Sequence, residues 1–347
     1  MTLTPLTQRR LANFRANRRG YYSMWVFLAL FGLSLFAEFI ANDKPIVLYL
    51  NEELHFPIFE LVTETDLGGE LPIEADYSDP YVKNLIEEGG GWAVHPPIPY
   101  AYDTIDLYIE TAAPAAPSAR HWLGTDDGAK DTLARLIYGF RLSVLFGLTL
   151  TAISSVIGVS VGALQGYFGG KVDLVGQRIV EVWAGLPILL ILIILTSVIE
   201  PNVFWLLAIL ACFSWMALVS VVRAEFLRAR NFDYVRAARS LGVSNFTIMR
   251  RHVLPNAMVA TLTYLPFLLS GAVTTLTALD FLGFGLPAGS PSLGELLTQG
   301  KNNLHAPWLG LTGFFTMAIL LTLLIFVGEA VRDAFDPRRV MKDPLAV

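Results

Sequence analysis

The sequence predicts an all-α membrane protein with six transmembrane helices and an acidic extracytoplasmic insertion between the first and second. Three observations carry that expectation. Apolar runs occupy 22–41, 143–164, 179–199, 203–222, 257–282 and 308–331, each close to the length a helix needs to cross a bilayer. Only 16% of the residues are charged and 54% are hydrophobic, with mean hydropathy +0.53, whereas a soluble domain carries about 25% charged residues. Finally, the arginines collect in alternate connections between the runs.

Residues 1–21 are basic, with Arg9, Arg10, Arg15, Arg18 and Arg19 and no acid. The run at 22–41 ends in Phe36-Ala-Glu-Phe-Ile-Ala-Asn42, which offers no small-residue cleavage site, so it reads as an uncleaved anchor. The flanking arginines place the N-terminus in the cytoplasm.

Residues 42–135 hold eighteen acidic residues against five Lys or Arg, with many prolines and glycines. Such a segment is too polar to span and is expected as an extracytoplasmic insertion, with short strands or turns around 45–50 and 105–109. Two readings stand side by side: a cap packed on the transmembrane domain, or a docking surface for an extracytoplasmic partner.

The other five runs form a core over 136–332. They must be helical, because hydrocarbon offers the backbone no other partner. Alternation from a cytoplasmic start returns the tail, 333–347, to the cytoplasm. Charges agree with this. Arg223, Arg228, Arg230, Arg236, Arg239, Arg250 and Arg251 fall between spans 4 and 5, and Arg332, Arg338, Arg339 and Lys342 follow span 6. Of the outer connections, 200–202 and 283–307, only the second holds a cation, Lys301.

The polar loop 224–256 is the most distinctive stretch. Residues 233–241 are expected to be helical, with Gly242 in the left-handed position that ends the helix. Ser244 caps the next helix, Val243 and Ile248 are spaced for a hydrophobic staple, and Pro255 limits it. This is a docking element. Ala237 and Ala238 allow close approach, Tyr234, Leu241 and Phe246 offer apolar anchors, and the arginines steer the partner.

Few positions suggest chemistry. Cys212, the single cysteine, permits no disulfide framework within the chain and is expected as a packed core thiol. Arg178 and Glu181 are spaced for an i,i+3 ion pair. Asp280, near the outer end of span 5, is the candidate for the substrate path, because an ionisable group there faces a cavity or a partner. His55, His95, His121, His252 and His305 show no metal-ligand spacing. Gly170-Lys171 and Gly300-Lys301 lack the first glycine and the hydroxyl of a phosphate-binding loop, so the chain carries no ATPase site of its own. No nucleophile, base and acid stand together, and an enzyme is not expected. A DNA-reading helix-turn-helix is disfavoured because the loop is clamped between two spans and has little reach to nucleic acid. A secondary transporter or channel not driven by an ATPase remains the alternative, although spans 2 to 6 carry almost no central charge for coupling ions.

A family resemblance rests on four motifs in order. Ala237, Ala238, Gly242, Leu254 and Pro255 match the cytoplasmic loop signature of bacterial ABC-importer permeases, Glu-Ala-Ala-x3-Gly-x9-Ile-x-Leu-Pro. Arg251-His252-Val253-Leu254-Pro255-Asn256 is similar to the variant used by the dipeptide/oligopeptide branch. Leu123-Gly-Thr-Asp126, Asp131 and Arg135-Leu-Ile-Tyr-Gly139 resemble the segment preceding span 2 of that branch, and Phe281-Leu-Gly-Phe-Gly285 and Arg332-Asp-Ala-Phe-Asp-Pro-Arg338 also fit. With the anchor, the acidic insertion, 137–143 and 286–295, the chain looks most like the Yej-type permease subunit of peptide/microcin C importers. Two positions depart from the family: Arg236 stands at the usual glutamate of the loop, and Ala129-Lys130 where many relatives have Gly-Arg.

That resemblance implies a type I ABC importer permease in a bacterial inner membrane, moving oligopeptides or peptide-like compounds. It implies a second homologous permease subunit, ATPase subunits that bind the ATP, an extracytoplasmic peptide-binding protein, and no cofactor in this chain. Tyr234, Arg236, Ala237, Ala238, Leu241, Gly242, Phe246, Leu254 and Pro255 become the expected ATPase-coupling residues.

Overall fold

The computed structural model describes residues 4–50, 52–109, 111–200 and 202–335. The chain opens with α1 (Pro5–Ala16), α2 (Arg18–Leu35) and the short α3 (Ala37–Ile40). Asn17 accepts the Gly20 N–H and so caps α2 where α1 ends. The insertion then supplies β1 (Val47–Leu50), β2 (Glu53–His55), a 3-10 turn at Glu64–Leu67, α4 (Pro80–Glu88) and β3 (Trp92–Val94). The strands form an antiparallel sheet ordered β2-β1-β3, with Leu48 opposite both His55 and Ala93. Leu48, Leu50, Val62, Leu67, Tyr77, Val82 and Ile86 make a small core of its own.

Of the short strands or turns expected around 45–50 and 105–109, the first is strand β1 and the second is a turn with a single bridge from Ile105 to Lys130. Asp106 accounts for it: its carboxylate accepts the Tyr108 N–H at 2.9 Å, and this local bond competes with a ladder.

The remainder is helical: α5 (Thr132–Phe168), α6 (Gly170–Ala184), α7 (Ile188–Thr196), α8 (Val203–Ser214), α9 (Met216–Ala229), α10 (Asp233–Ser240) and α11 (Asn245–Thr247). A π-helical turn, Ile248–Val253, leads into α12 (Leu254–Phe281), followed by α13 (Leu293–Asn302) and α14 (Pro307–Phe335). Among the described residues, four helical stretches are long and apolar enough to cross a membrane: α5, Val203–Ala229, Asn245–Phe281 and α14. The pair α6 and α7 makes a fifth if counted together, bent by 57°. The run at 179–199 is therefore not one straight helix. Gly185 and Pro187 lie at the bend, and the residue before a proline resists helical geometry.

The anchor expected at 22–41 also differs. The helix starts earlier, at Arg18, and breaks at Phe36, so α2 spends its first turn on two arginines. Length and composition thus give four or five spans where six were expected.

Close packing of α5 on α9 follows from Gly158, Gly162 and Gly166, one per turn on a single face. A Cβ at each would meet the α9 backbone or side chains, at Leu218, Val222 and Phe226 respectively. Gly20 plays the same part for α2 against Ala330 of α14. Phe27 and Phe31 of α2 then join Leu320 and Leu324 in one apolar cluster.

One end of the bundle carries α1, α10, α11 and the last turn of α14. Asn17 donates to Asp333 at 3.0 Å, and the Arg10 guanidinium lies 4.5 Å over the Phe335 ring. The other end carries the insertion and α13. Arg338, Arg339, Lys342 and most of the expected tail at 333–347 lie outside the described residues. Cys212 is exposed on α8, contrary to the packed thiol expected, because Leu206, Ile209 and Leu210 take the core-facing positions.

Candidate coupling site

The site begins with how α10 ends. Gly242 has φ +78, a left-handed geometry that other residues adopt at a cost. Its N–H donates to the Arg239 carbonyl at 3.0 Å, and the Val243 N–H reaches back to the Ala238 carbonyl at 3.1 Å. These two bonds satisfy carbonyls that the helix end leaves open. Ser244 then accepts the Thr247 N–H, starting α11 as a capped turn. A tight helical hairpin results.

The hairpin is rooted in the bundle. Val235, Ala238, Ile248 and Val253 are buried together with Ala163 and Tyr167 of α5, Val222 and Phe226 of α9, and Ala257 of α12. Tyr167, 3% exposed, is the polar hub. Its hydroxyl donates to Asn245 at 2.9 Å and accepts from Arg239 at 3.3 Å, while the Arg239 guanidinium sits 5.6 Å over its ring. Sequence reading missed Tyr167, whose role depends on which chain ends meet.

The expected site residues divide. Tyr234, Arg236, Ala237, Gly242 and Pro255 are exposed, as are Leu241 at 82% and Phe246 at 71%. Ala238 faces the host helices, and Leu254 is half-buried against the same core. The Tyr234 hydroxyl accepts from Asn256 at 3.3 Å, tying α10 to the first turn of α12. Beside the hairpin, Phe246, Met249 and Leu254 face Leu164 and Phe168 across an apolar cavity of about 460 Å³.

Pro255 does not limit the second helix as expected. The chain runs helically from Asn245 to Phe281, with the proline in the first turn of α12. Inside a helix, proline lacks an N–H and its ring crowds the carbonyl four residues earlier. The wider π turn just before it removes that conflict.

Asp280 lies at the opposite end. Its carboxylate accepts the Leu286 N–H at 2.6 Å and the Ser292 hydroxyl at 2.5 Å, so it closes the loop between α12 and α13. Nearby, Arg135 is 1% exposed and bridges Asp126, at 2.6 Å, to Glu295 of α13, at 2.9 Å. Asp131 caps α5 by accepting the Ala134 N–H and also bonds His121 Nδ1 at 2.8 Å, while Asp106 holds His121 Nε2 at 3.0 Å. Burial pushes His121 down, but its bonds to the two aspartates outweigh it and hold the imidazole above its ordinary value. Ala129 sits at φ +59 in the same junction, a left-handed conformation in which glycine is at ease.

Residues 154–341, a stretch beginning within α5 and including the whole hairpin, match the family model described as binding-protein-dependent transport system inner membrane component. The chain belongs to this permease family. Among its relatives, the inner membrane ABC transporter permease protein YejE of Escherichia coli (strain K12) is 60% identical, over 98% of this chain and 99% of that protein. The peptidoglycan transport system permease protein YejE of Agrobacterium fabrum is 56% identical, over 98% and 95%. The oligopeptide transport system permease protein OppC of Lactococcus lactis subsp. lactis is 34% identical, over 69% and 82%. Among solved structures, inward-facing conformations of the MetNI methionine ABC transporter align with a TM-score of 0.47 at 17% identity, covering 58% of this permease and 96% of that chain.

Proposed function

We propose that this permease is the translocation subunit of an ATP-driven importer for oligopeptides or peptide-like compounds of the microcin C type. It pairs with a second homologous permease and takes its energy from separate ATPase subunits. An extracytoplasmic peptide-binding protein delivers the substrate. The chain binds no ATP itself. In this reading α2, α5, α6 with α7, α8 with α9, α12 and α14 are the six spans, both termini are cytoplasmic, and the insertion is extracytoplasmic.

The observation that carries the proposal is the hairpin. It exposes Leu241 and Phe246 while Val235, Ala238, Ile248 and Val253 hold it in the cores of α5, α9 and α12. A rigid body so rooted transmits a push from a soluble partner to three membrane helices at once. Arg236 is exposed on α10 and presents a cation at the glutamate position of the loop signature that this stretch resembles, so the ATPase surface facing it is expected to be acidic. Asp280 contributes by shaping the outer loop.

The test is purification of the complex from its native membrane, followed by reconstitution in vesicles. ATP-dependent accumulation of a tripeptide, with an ATPase and a second permease co-purifying, is the expected result. Uptake driven by a proton or sodium gradient without ATP overturns it.

A further inference from the structure

Within an insertion rich in acids, residues 54–62 read Leu-His-Phe-Pro-Ile-Phe-Glu-Leu-Val, with one acid among seven apolar residues. They form a tight turn in which the N–H groups of Phe59 and Glu60 both donate to the Phe56 carbonyl. The Glu60 carboxylate accepts the Phe56 N–H at 2.6 Å and lies 3.6 Å from His55 Nδ1, so that charge is engaged within the turn. What the turn exposes is apolar: Phe59 is 74% exposed, Leu61 68% and Phe56 45%.

This turn meets the end of the first membrane helix. Phe59 packs on Phe39 with ring centroids 5.9 Å apart, and Phe39 packs on Phe36 at 6.4 Å. Phe36, 62% exposed, follows Leu28, Leu33 and Leu35, which are also exposed on α2.

Depth follows from the packing. α2 runs antiparallel to α14, with Gly20 against Ala330 and Phe31 beside Leu320 and Leu324. At about 1.5 Å per residue along both helices, the end of α2 at Leu35 comes level with Phe315, roughly 12 Å in from the outer end of α14, and Phe36 and Phe39 follow just beyond the break. Leu311 and Phe314 are themselves exposed there. A second marker agrees, because the Tyr138 hydroxyl, two turns inside α5, donates to the Ala41 carbonyl at 3.0 Å.

We propose that the turn around Phe56, Phe59 and Leu61 seats in the outer interfacial layer of the lipid bilayer. It is a second, non-spanning membrane contact that holds the insertion against the membrane. The inference rests on reading α2 as a membrane helix. An apolar turn, aromatic side chains at headgroup depth and continuity with a lipid-facing helix together fit an interfacial anchor.

The test uses nitroxide labels on the full chain in lipid nanodiscs, in a Cys212→Ser background. Phe59→Cys and Leu61→Cys report on the turn, and Leu28→Cys reports on α2. Collision rates with oxygen and with a water-soluble nickel chelate give depth. Expected at 59 and 61 is more oxygen than nickel contact, with a ratio lower than at 28. Nickel contact dominating at 59 and 61 while 28 stays oxygen-rich overturns the inference and leaves α2 in the bilayer. Nickel contact at 28 overturns the reading of α2. Low contact with both reagents at 59 and 61 means that protein covers the turn, and also overturns the proposal.

Discussion

Arg135 Nη1 lies 2.6 Å from Asp126 Oδ2, with both side chains almost wholly buried. The pair joins the last loop of the insertion to the first turn of α5, and the other end of the guanidinium reaches Glu295. Removing one partner strands the other charges, a loss of about 3–5 kcal/mol. Arg135→Ala is therefore expected to lower yield and thermal stability sharply. Thermal unfolding of the detergent-solubilised complex measures this, and Arg135→Lys should recover only part of it, since lysine cannot hold two carboxylates in a fork.

Gly242 has free space around its missing Cβ, so the cost of a side chain there is conformational. A left-handed L-residue costs about 1–2 kcal/mol. Gly242→Val should leave the chain inserted but reduce peptide uptake per ATP hydrolysed, whereas Gly242→Asn should retain most of it. Ala238→Leu overpacks the root of the hairpin, at about 1–3 kcal/mol, and is expected to uncouple in the same way. Parallel uptake and phosphate-release assays in proteoliposomes separate coupling from folding.

Leu241 and Phe246 project from the hairpin and contribute little to the fold. Leu241→Asp and Phe246→Asp should change stability by less than about 0.5 kcal/mol. Each should nonetheless weaken ATPase binding by about 2 kcal/mol or more, roughly thirtyfold, as expected for the centre of an interface. Pull-down of the ATPase at graded concentrations provides the measure. Arg236→Glu is expected to weaken the same interaction and to regain it when an acid on the ATPase is reversed.

Ala129 occupies a left-handed conformation with its carbonyl bonded to the Asp106 N–H. Ala129→Gly should be stabilising by about 1 kcal/mol. A rise in the melting temperature of the complex, with transport unchanged, is the expected outcome.

His121 sets a pH dependence. Its folded value lies above 6.5, so its stabilisation is complete below about pH 6.5 and fades as pH rises through the raised value. Burial pushes Asp106 up, but the Tyr108 N–H, His121 and Arg120 outweigh it and hold the carboxyl below 3.8. Its contribution is therefore present above that ordinary value and lost as pH falls through the lowered one. Protection factors for hydrogen exchange over 100–131, with the intrinsic pH dependence of exchange divided out, should fall as pH rises above 6.5, and His121→Asn should flatten that fall.

The apolar helices and the hairpin were legible because each leaves a local mark in composition or capping. The limits of the first helix were not legible, because the hydropathy of a run does not reveal where its helix breaks, as it does at Phe36. The bend before α7 had its signal in Gly185 and Pro187, and the contact of α5 with α9 had one in the spacing of Gly158, Gly162 and Gly166. Tyr167, His121 and the root of Ala238 had none. Their roles come from segments far apart in sequence, and only the packed bundle brings these together.

The π turn at Ile248–Val253 has a mechanical consequence. A π turn holds one residue more than an α-helical turn, and returning that residue to the α-helix rotates all that follows by about 100° and shifts it by about 1.5 Å. The rod that begins at the hairpin and continues as α12 thus contains its own slipping joint. A thrust received at one end need not emerge as a thrust at the other; it can emerge as a twist, re-aiming the residues of α12 without moving its axis.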